Sequence, residues 1–175
     1  FGTIGRFFDL KTVIDAVKLI GQSIDIQVIL GGDGSDKSKF EVMAKDQKSI
    51  FFSGWLDAPK ISAVMEVSSV GLAPYKIDAR MALPNKPFEY MAGSLASLSS
   101  IQGELKEVLA ENDCGLTYTA DNTEELAKCI TQLATQKERT KEMGQKARAL
   151  LEEKYSSEHI SKKLRAHLDD AIAKR

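Results

Sequence analysis

The chain alternates between short β-rich runs and longer segments of helical periodicity, and this alternation constrains its fold more than any other feature. Apolar runs of strand length occur at residues 1–4, 26–30, 50–53, 70–73, 95–98 and 115–118. Between them, apolar residues recur every three or four positions, as they do on the buried face of a helix. The pattern predicts an α/β fold with a doubly wound parallel sheet in the strand order 3-2-1-4-5-6.

Length and charge bound the class of protein. With 175 residues the chain can bury one core without disulfides or metals, so we interpret residues 1–175 as a single domain. A net charge of -1 gives no overall attraction to nucleic acid, and every apolar run is too short to span a bilayer. Cys114 and Cys129 form no C-x-x-C motif, which predicts buried thiols in a reducing, cytoplasmic compartment.

The two ends of the chain each support a separate prediction. The chain begins at Phe1, without a Met or a signal-peptide pattern, so we expect a fragment of a longer protein. After about Thr135 the strand pattern stops, and residues 136–175 predict two terminal helices that separate near Ser156. This stretch holds 11 Lys and Arg against 7 Asp and Glu, a net charge of +4, which is typical of a solvated helix face.

Ligands of open parallel sheets bind beyond the carboxyl ends of the strands, so the turns there are the candidate sites. The first turn runs from Gly2 through Thr3 to Arg6, where glycine allows close backbone approach and the guanidinium can bind phosphate. The second, "GGDG" at 31–34, predicts an anion-binding nest of backbone amides or simply a tight turn. The third follows the strand at 70–73 and opens a helix near Lys86 and Glu89, where an anion is favoured.

Familiar catalytic motifs do not occur. His159 and His167 lie in the terminal helices, away from any metal-ligand spacing, and there is no P-loop or G-x-S-x-G elbow. The first turn also departs from G-x-G-x-x-G, which disfavours a dehydrogenase. We therefore assign no catalytic residue, expect no metal or cofactor, and interpret both histidines as structural or solvent-facing.

Seven segments together resemble the carboxyl-terminal, donor-binding domain of glycosyltransferase family 4, the retaining enzymes of GT-B fold. They are the Gly-rich start, "VILGGDG", "IFFSGWL", "VGLAPY", "PNKPFEYMAG", "SLSSIQGELKEVL" and "CGLTY", in that order along nearly the whole chain. The likeness is greatest to bacterial members with Pro-x-Lys before Glu-Tyr-Met-Ala, which build surface polysaccharides or lipopolysaccharides. The resemblance implies a Rossmann-like domain that holds a nucleotide sugar, facing a second domain that is absent here.

The resemblance also implies roles for individual residues. Glu89 corresponds to the family's glutamate that holds the nucleotide ribose, while the glutamate that contacts the donor sugar is replaced by Met81. The amide pair that cradles the distal phosphate falls on Pro84 and Asn85, and Lys86 would compensate for the amide that Pro84 lacks.

The remaining donor contacts fall in two other turns. Arg6 and Lys11 reproduce the spacing of the family's diphosphate-binding Arg and Lys, but an alternative alignment puts Thr3 and Phe8 there. The nucleobase is read after the third strand, here at Trp55 and Leu56. The predicted donor site is thus formed by Gly2, Thr3, Arg6, Trp55, Leu56, Asn85, Lys86 and Glu89.

The resemblance implies partners and leaves alternatives open. The partners are a nucleotide-diphosphate sugar, the amino-terminal domain and a sugar or lipid-linked acceptor, with no nucleic acid. The basic terminal helices suit a return to the other domain, or peripheral contact with the inner face of the plasma membrane. Half of a nucleotide-sugar 2-epimerase is an alternative that Met81 disfavours, and a non-catalytic α/β interaction module also stays open.

Overall fold

The structure, a computed structural model, describes residues 1–79 and 81–173. Strands and helices alternate as the sequence predicts. The strands are β1 Gly2–Thr3, β2 Val28–Asp33, β3 Ile50–Gly54, β4 Val70–Ala73, β5 Ala96–Ser99 and β6 Gly115–Thr117. The helices are α1 Leu10–Ile20, α2 Lys37–Ala44, α3 Ala58–Glu66, α4 Asn85–Ala92, α5 Glu104–Glu111, α6 Thr123–Thr135, α7 Lys137–Leu150 and α8 Ser157–Ala173, with a π-helical turn Leu151–Tyr155 between the last two.

All strand pairs in the sheet are parallel, which confirms the predicted α/β class. The strands form two three-stranded sheets, ordered β1-β2-β3 and β4-β5-β6. These orders are the two halves of the predicted 3-2-1-4-5-6 arrangement. The halves are joined beyond the strand ends, where an isolated antiparallel bridge links Phe8 to Tyr75 and the Asp9 N–H donates to the Pro74 carbonyl at 2.8 Å.

Capping side chains set the helix boundaries. The Asp9, Asp57 and Asn122 side chains each accept a hydrogen bond from a backbone N–H three residues further on, at the starts of α1, α3 and α6. The Asn122 cap has no reciprocal bond from Glu125, whose carboxylate instead accepts from the Thr119 N–H at 2.9 Å. Before α8, the Ser156 hydroxyl accepts from the His159 N–H at 3.2 Å, which confirms the predicted break.

The core forms on both faces of the sheet halves. One apolar cluster joins α1, α2 and α6 to β2 and to Ala96 and Leu98, while a second joins α4, α5 and α7 to Ala73 and Leu95. Neighbouring strand residues contribute to different clusters because side chains alternate between the faces of a strand. Both cysteines are free thiols; Cys114 is buried, as predicted, whereas Cys129 is only half-buried. Across the described residues, no helix is both long and apolar enough to cross a membrane.

Two strand predictions were wrong, and both concern the centre of the sheet. The first strand spans only Gly2–Thr3 rather than residues 1–4, so no β1-β4 ladder forms within the described residues. The second begins at Val28, two residues later than predicted, and continues to Asp33. Lys174 and Arg175, which end the predicted basic stretch, lie outside the described residues.

The glycines of "GGDG" are required for close backbone packing, and the anion-binding nest stays a prediction. Gly32 pairs with Gly2 in the ladder between β2 and β1. A Cβ on Gly32, whose φ is +137°, would lie 1.7 Å from the Gly2 carbonyl oxygen. A Cβ on Gly34 would lie 2.2 Å from the Ile4 carbonyl oxygen. Glycine is required here because β1 lies directly against the backbone of β2.

The close approach at Gly32 yields a testable prediction. We expect Gly32→Ala to lower the free energy of unfolding by about 3 kcal/mol or more, because the methyl group adds a backbone clash to a left-handed conformation. Gly103→Ala is the matched control, since its φ is +76° but no heavy atom lies within 4 Å of the added Cβ. Urea unfolding of both variants measures the difference in their free energies of unfolding. An equal loss of stability in both variants would contradict the prediction, because it would show that the backbone relieves the clash at Gly32.

Candidate functional site

Lys86, in the first turn of α4, is the centre of the candidate site. Its side chain is 18% exposed and its Nζ lies 4.2 Å from the centroid of the Phe1 ring. The Lys86 Cε lies 3.2 Å from the position that a Cβ on Gly2 would occupy. The structure therefore brings together two predicted site residues, Gly2 and Lys86, that are more than eighty positions apart in sequence.

Glu89 lies one helical turn further along α4 and is paired with Lys86. The Lys86 Nζ donates to Glu89 Oε2 at 2.7 Å, and the Glu89 side chain is 41% exposed. Burial, with a smaller contribution from the Glu89 charge, raises the pKa of Tyr75 to about 12. One carboxylate oxygen of Glu89 thus binds the Lys86 ammonium, and the side chain is partly accessible to solvent.

The amino terminus of α4 adds polar backbone groups to the site. Asn85, the first residue of the helix, is exposed, and Pro84 precedes it as the N-cap. First-turn amides of a helix have no partner within the helix and favour an anion. The buried Tyr90, in the second half of α4, holds the helix against β4, because its ring covers Gly71 and its hydroxyl donates to the Leu72 carbonyl at 2.9 Å.

The other residues of the first turn are more exposed. Thr3 ends β1 with its side chain in solvent. The Arg6 side chain is also exposed, and its guanidinium lies over the Phe7 ring at 4.6 Å from the centroid. Neither residue contacts Lys86 or Glu89 through a hydrogen bond or ion pair in the described part of the chain, so their place in the site stays a prediction.

Trp55 and Leu56 follow β3, two strands away from β1. Leu56 is half-buried, and its side chain covers Gly31, where an added Cβ would lie 2.5 Å from the Leu56 Cδ1. Trp55 is 73% exposed and is thus an apolar surface open to a ligand. Two inter-strand spacings separate this position from β1, about 10 Å along the sheet edge.

A pair of serines supports the loop after β4, and sequence reasoning assigned them no role. The Ser100 hydroxyl accepts from the Tyr75 N–H at 2.7 Å and donates to the Tyr75 carbonyl at 2.6 Å. The Ser99 hydroxyl donates to the Ala73 carbonyl at 3.1 Å. Ser99 ends β5 and Ser100 follows it, and together they hold the start of the loop that leads to α4. Their position at a strand's carboxyl end was the only sequence signal for this role.

Asp9 and Asp121 form a second polar group near the end of β6. Asp9 Oδ1 caps α1, while Asp9 Oδ2 is buried and has no hydrogen-bond partner among the described residues. Partial burial, followed by the nearby Asp9 carboxyl, raises the pKa of Asp121. This arrangement joins the amino end of α1 to the turn before α6.

The remaining candidate residues stay outside the site. Met81 is 38% exposed, and its N–H donates to the Ala79 carbonyl at 2.9 Å. His159 is half-buried and His167 exposed, both in α8. Within residues 1–79 and 81–173, no three His, Cys, Asp or Glu side chains come together in a way that could hold a metal ion.

Comparison with known families decides what kind of domain carries this site. Residues 1–136, more than three quarters of the chain, match the family described as Glycosyl transferases group 1. The chain belongs to this family. No curated protein matches the sequence at a significant level.

Solved structures show that the domain shares its fold with carboxyl-terminal domains of GT-B glycosyltransferases. The carboxyl-terminal domain of the group 1 protein LpcC from Francisella tularensis superimposes with a TM-score of 0.75 at 19% identity, over 90% of this chain and 84% of that one. Anabaena HepE, in complex with UDP and glucose, gives 0.78 at 16% identity, over 96% of this chain and 47% of that one.

Longer relatives show how much of a whole enzyme this glycosyltransferase domain spans. Staphylococcus aureus TarM, solved with UDP and a GlcNAc-glycerol, gives a TM-score of 0.76 at 20% identity. The alignment covers 93% of this chain but 34% of TarM. The domain therefore spans about a third of TarM and half of HepE.

The Lys86-Glu89 pair yields a prediction about stability. We expect a double-mutant cycle of Lys86→Met and Glu89→Gln to give a coupling energy of about 0.5 to 1 kcal/mol, because the pair is close but Glu89 is partly solvated. Lys86→Met keeps the packing against Phe1 while removing the charge. Thermal unfolding at low and high salt measures the coupling, and a value near zero at low salt would contradict the pairing.

Proposed function

We propose that this domain is the donor nucleotide-sugar-binding half of a retaining glycosyltransferase. The observation that carries the proposal is the convergence of the Gly2 backbone, the Lys86 ammonium and the first turn of α4, with Glu89 one turn beyond. This group lies between the two halves of the sheet, where the strand order reverses. Nucleotides bind at such a point in doubly wound folds.

The proposed pose puts the ribose on Glu89 and the diphosphate on Lys86. A carboxylate can accept two hydroxyl hydrogen bonds, which suits the vicinal hydroxyls of a ribose. Lys86 has three N–H donors, and its bond to Glu89 uses one of them. The other two N–H groups can donate to phosphate oxygens while the Lys86-Glu89 pair stays intact. The backbone N–H of Asn85 would add a donor to the distal phosphate.

The chemistry that this domain would supply is stabilisation of the leaving group. When the bond between sugar and phosphate breaks, negative charge grows on the diphosphate. Lys86, the α4 amides and Arg6 would already be in position before the reaction and would stabilise that charge as it forms. The proposal therefore needs no metal ion. No base is assigned, and Met81 supplies no carboxylate, so positioning of the sugar and the acceptor falls to other groups.

The nucleobase would lie against the turn after β3. The exposed indole of Trp55 can stack with or border a base, and the Leu56 backbone can accept its hydrogen bonds. HepE, whose fold this domain shares, has been solved with UDP-glucose. This likeness supports a uridine nucleotide as the first ligand to test.

The exposed face of α8 supports a partner domain. Four apolar side chains recur every fourth residue along this helix and are 47% to 71% exposed, namely Ile160, Leu164, Leu168 and Ile172. A stripe of this kind is normally covered by protein or lipid. We propose that it packs against the enzyme's amino-terminal, acceptor-binding domain. Peripheral contact with the inner face of the plasma membrane is the alternative, supported by Lys162, Lys163 and Arg165 beside the stripe.

A bacterial surface-polysaccharide or lipopolysaccharide pathway, with a sugar or lipid-linked acceptor in the cytoplasm, is the proposed setting. WaaG, a glycosyltransferase of lipopolysaccharide biosynthesis, has the same fold, with a TM-score of 0.68 at 16% identity. A nucleotide-sugar 2-epimerase would bind the same donor, but Met81 disfavours it. A non-catalytic interaction module would bind no nucleotide.

The ribose contact gives the most direct test of this pose. We expect Glu89→Ala to weaken UDP binding by about 1.5 to 3 kcal/mol, the scale of hydrogen bonds to a charged group. The same substitution should leave the affinity for 2′,3′-dideoxy-UDP nearly unchanged, because that nucleotide has no hydroxyls for Glu89 to accept. Isothermal titration calorimetry measures both affinities.

Two further variants complete this experiment. Lys86→Ala should reduce the affinity for UDP and for inorganic pyrophosphate alike, and the loss should shrink as salt is added. Glu142→Ala and Lys128→Ala remove exposed charges on α7 and α6 and serve as matched controls. An unchanged UDP affinity in folded Glu89→Ala would refute the ribose role, and no binding of any nucleotide would favour the interaction module.

The two-domain proposal makes a prediction about activity. We expect residues 1–175 to bind UDP but to transfer no sugar, because acceptor binding and exclusion of water need the cleft between two domains. The assay compares this chain with the full-length enzyme, using a panel of nucleotide sugars and lipid-linked acceptors. Transfer by the isolated chain at a rate near that of the full-length enzyme would overturn the proposal.

A further inference from the structure

Helix α4, which carries Lys86 and Glu89, is too short to hold its own position. It spans eight residues, Asn85–Ala92, and no side chain caps its amino end, where Pro84 is the N-cap. Helices of this length are marginal in isolation, so packing against neighbouring elements decides where they lie. The placement of the candidate site therefore depends on the contacts that hold α4.

Two hydrogen bonds hold the second half of α4. The Tyr90 hydroxyl donates to the Leu72 carbonyl of β4 at 2.9 Å. The Arg148 guanidinium, on α7, donates from Nη1 to the Ala92 carbonyl at 2.6 Å. Both bonds lie toward the carboxyl end of the helix. Neither bond holds the half of α4 that carries Lys86.

Phe88 supports the first half of α4 through an aromatic contact with Tyr155. The centroids of the two rings lie 4.9 Å apart, and the interplanar angle is 55°. Successive residues of an α-helix differ in direction by about 100°, so Phe88 projects about 100° away from Glu89 and about 160° away from Lys86. The Phe88-Tyr155 pair therefore lies behind the face of α4 that carries the two candidate donor contacts.

A π-helical turn places Tyr155 at this position. The turn spans Leu151–Tyr155 and continues directly from α7, whereas the extended Ser156 separates it from α8. The Arg148 Nε donates to Glu152 Oε1 at 2.6 Å, which ties α7 to the turn. Single π turns are rare and frequently lie at functional sites. Tyr155 is thus held on a helical element that is anchored to α7.

The Tyr155 side chain contacts Phe88 through its ring. The side chain is half-buried and packs against the apolar cluster of α4, α5 and α7. Burial, with a smaller contribution from the Glu104 charge, raises the pKa of Tyr155, so its phenol is neutral at physiological pH. Phenylalanine would keep this packing, which makes Tyr155→Phe the conservative variant.

We propose that Tyr155 is a positioning residue for the donor nucleotide, and that it acts through Phe88. Its ring fixes the direction of the first half of α4, so that Lys86 and Glu89 reach the diphosphate and the ribose of one ligand together. This inference rests on the proposed function, which assigns those two contacts. The affinity for a ligand that contacts both residues depends on the direction of the helix. A ligand that contacts Lys86 alone depends on it less, because the long lysine side chain adapts to small shifts.

The experiment compares UDP with inorganic pyrophosphate by isothermal titration calorimetry on the 175-residue chain. We expect Tyr155→Ala to weaken UDP binding by about tenfold, equivalent to the loss of one hydrogen bond to a charged group, and to leave pyrophosphate binding within about twofold. Tyr155→Phe should keep both affinities within about twofold of the unaltered chain, since the ring remains. Should Tyr155→Ala fail to fold, Tyr155→Leu replaces it, with an expected loss of UDP affinity of about threefold or more.

Two further variants separate positioning from general stability. Val108→Ala is the matched control, because it removes packing from the same apolar cluster on α5 and leaves α4 unchanged. It should lower the melting temperature but keep the UDP affinity. Phe88→Ala should weaken UDP binding about as much as Tyr155→Ala. The double variant should bind UDP about as weakly as either single variant, because both substitutions remove the same contact.

The possible outcomes distinguish this inference from the proposed function. UDP binding that Tyr155→Ala leaves unchanged would overturn the inference alone. Equal losses for UDP and pyrophosphate, or an equal loss of UDP affinity in Val108→Ala, would also overturn it, because the domain as a whole would then be disturbed. Additive losses in the double variant would show that Tyr155 does not act through Phe88. No UDP binding by the unaltered chain would overturn the proposed function, and this inference with it.

Discussion

The close approach of β1 to the end of β2 is the contact on which the rest of the structure depends. Gly32 and Gly34 carry no side chain where the backbone of Gly2 and Ile4 passes, and a methyl group at either position would overlap a carbonyl oxygen. The contact holds the first turn against the sheet. Because α1 begins a few residues later at the Asp9 cap, it also sets the direction in which the first helix leaves the sheet.

The candidate site depends on this contact. Gly2 leaves room for the Lys86 side chain, which extends over the first turn and rests on the Phe1 ring. On the other side of the site, the serines at the end of β5 hold the loop after β4, and Tyr90 holds α4 against β4. A cation with little freedom beside exposed helix amides is pre-organised for an anion, which lowers the entropy cost of binding.

The two halves of the sheet carry different parts of the proposed donor site. The half with β1, β2 and β3 holds the first turn and the exposed Trp55, while the half with β4, β5 and β6 holds Lys86 and Glu89. The halves meet through the Phe8-Tyr75 bridge and through helices packed on their faces. Nucleotide binding across this junction would therefore couple ligand affinity to the relative placement of the two half-sheets.

The sequence by itself determined the local structure. Alternating periodicity predicted all six strands to within a few residues, because this pattern depends on near neighbours in the chain. The order of "VILGGDG", "PNKPFEYMAG" and the other segments was enough to indicate the family. Glu89 and Lys86 could be singled out because their motif is contiguous.

Only the tertiary structure decided what lies between distant segments. The contact of Lys86 with the Phe1 ring joins two ends of a long stretch of chain, so no local spacing rule fixes it. The packing role of the glycines in "GGDG" was not visible in the sequence, because a glycine that avoids a backbone clash looks the same there as one that binds a ligand. The division of the strands into the two sheets β1-β2-β3 and β4-β5-β6 was also not predicted, because strand pairing joins segments that are distant in the chain.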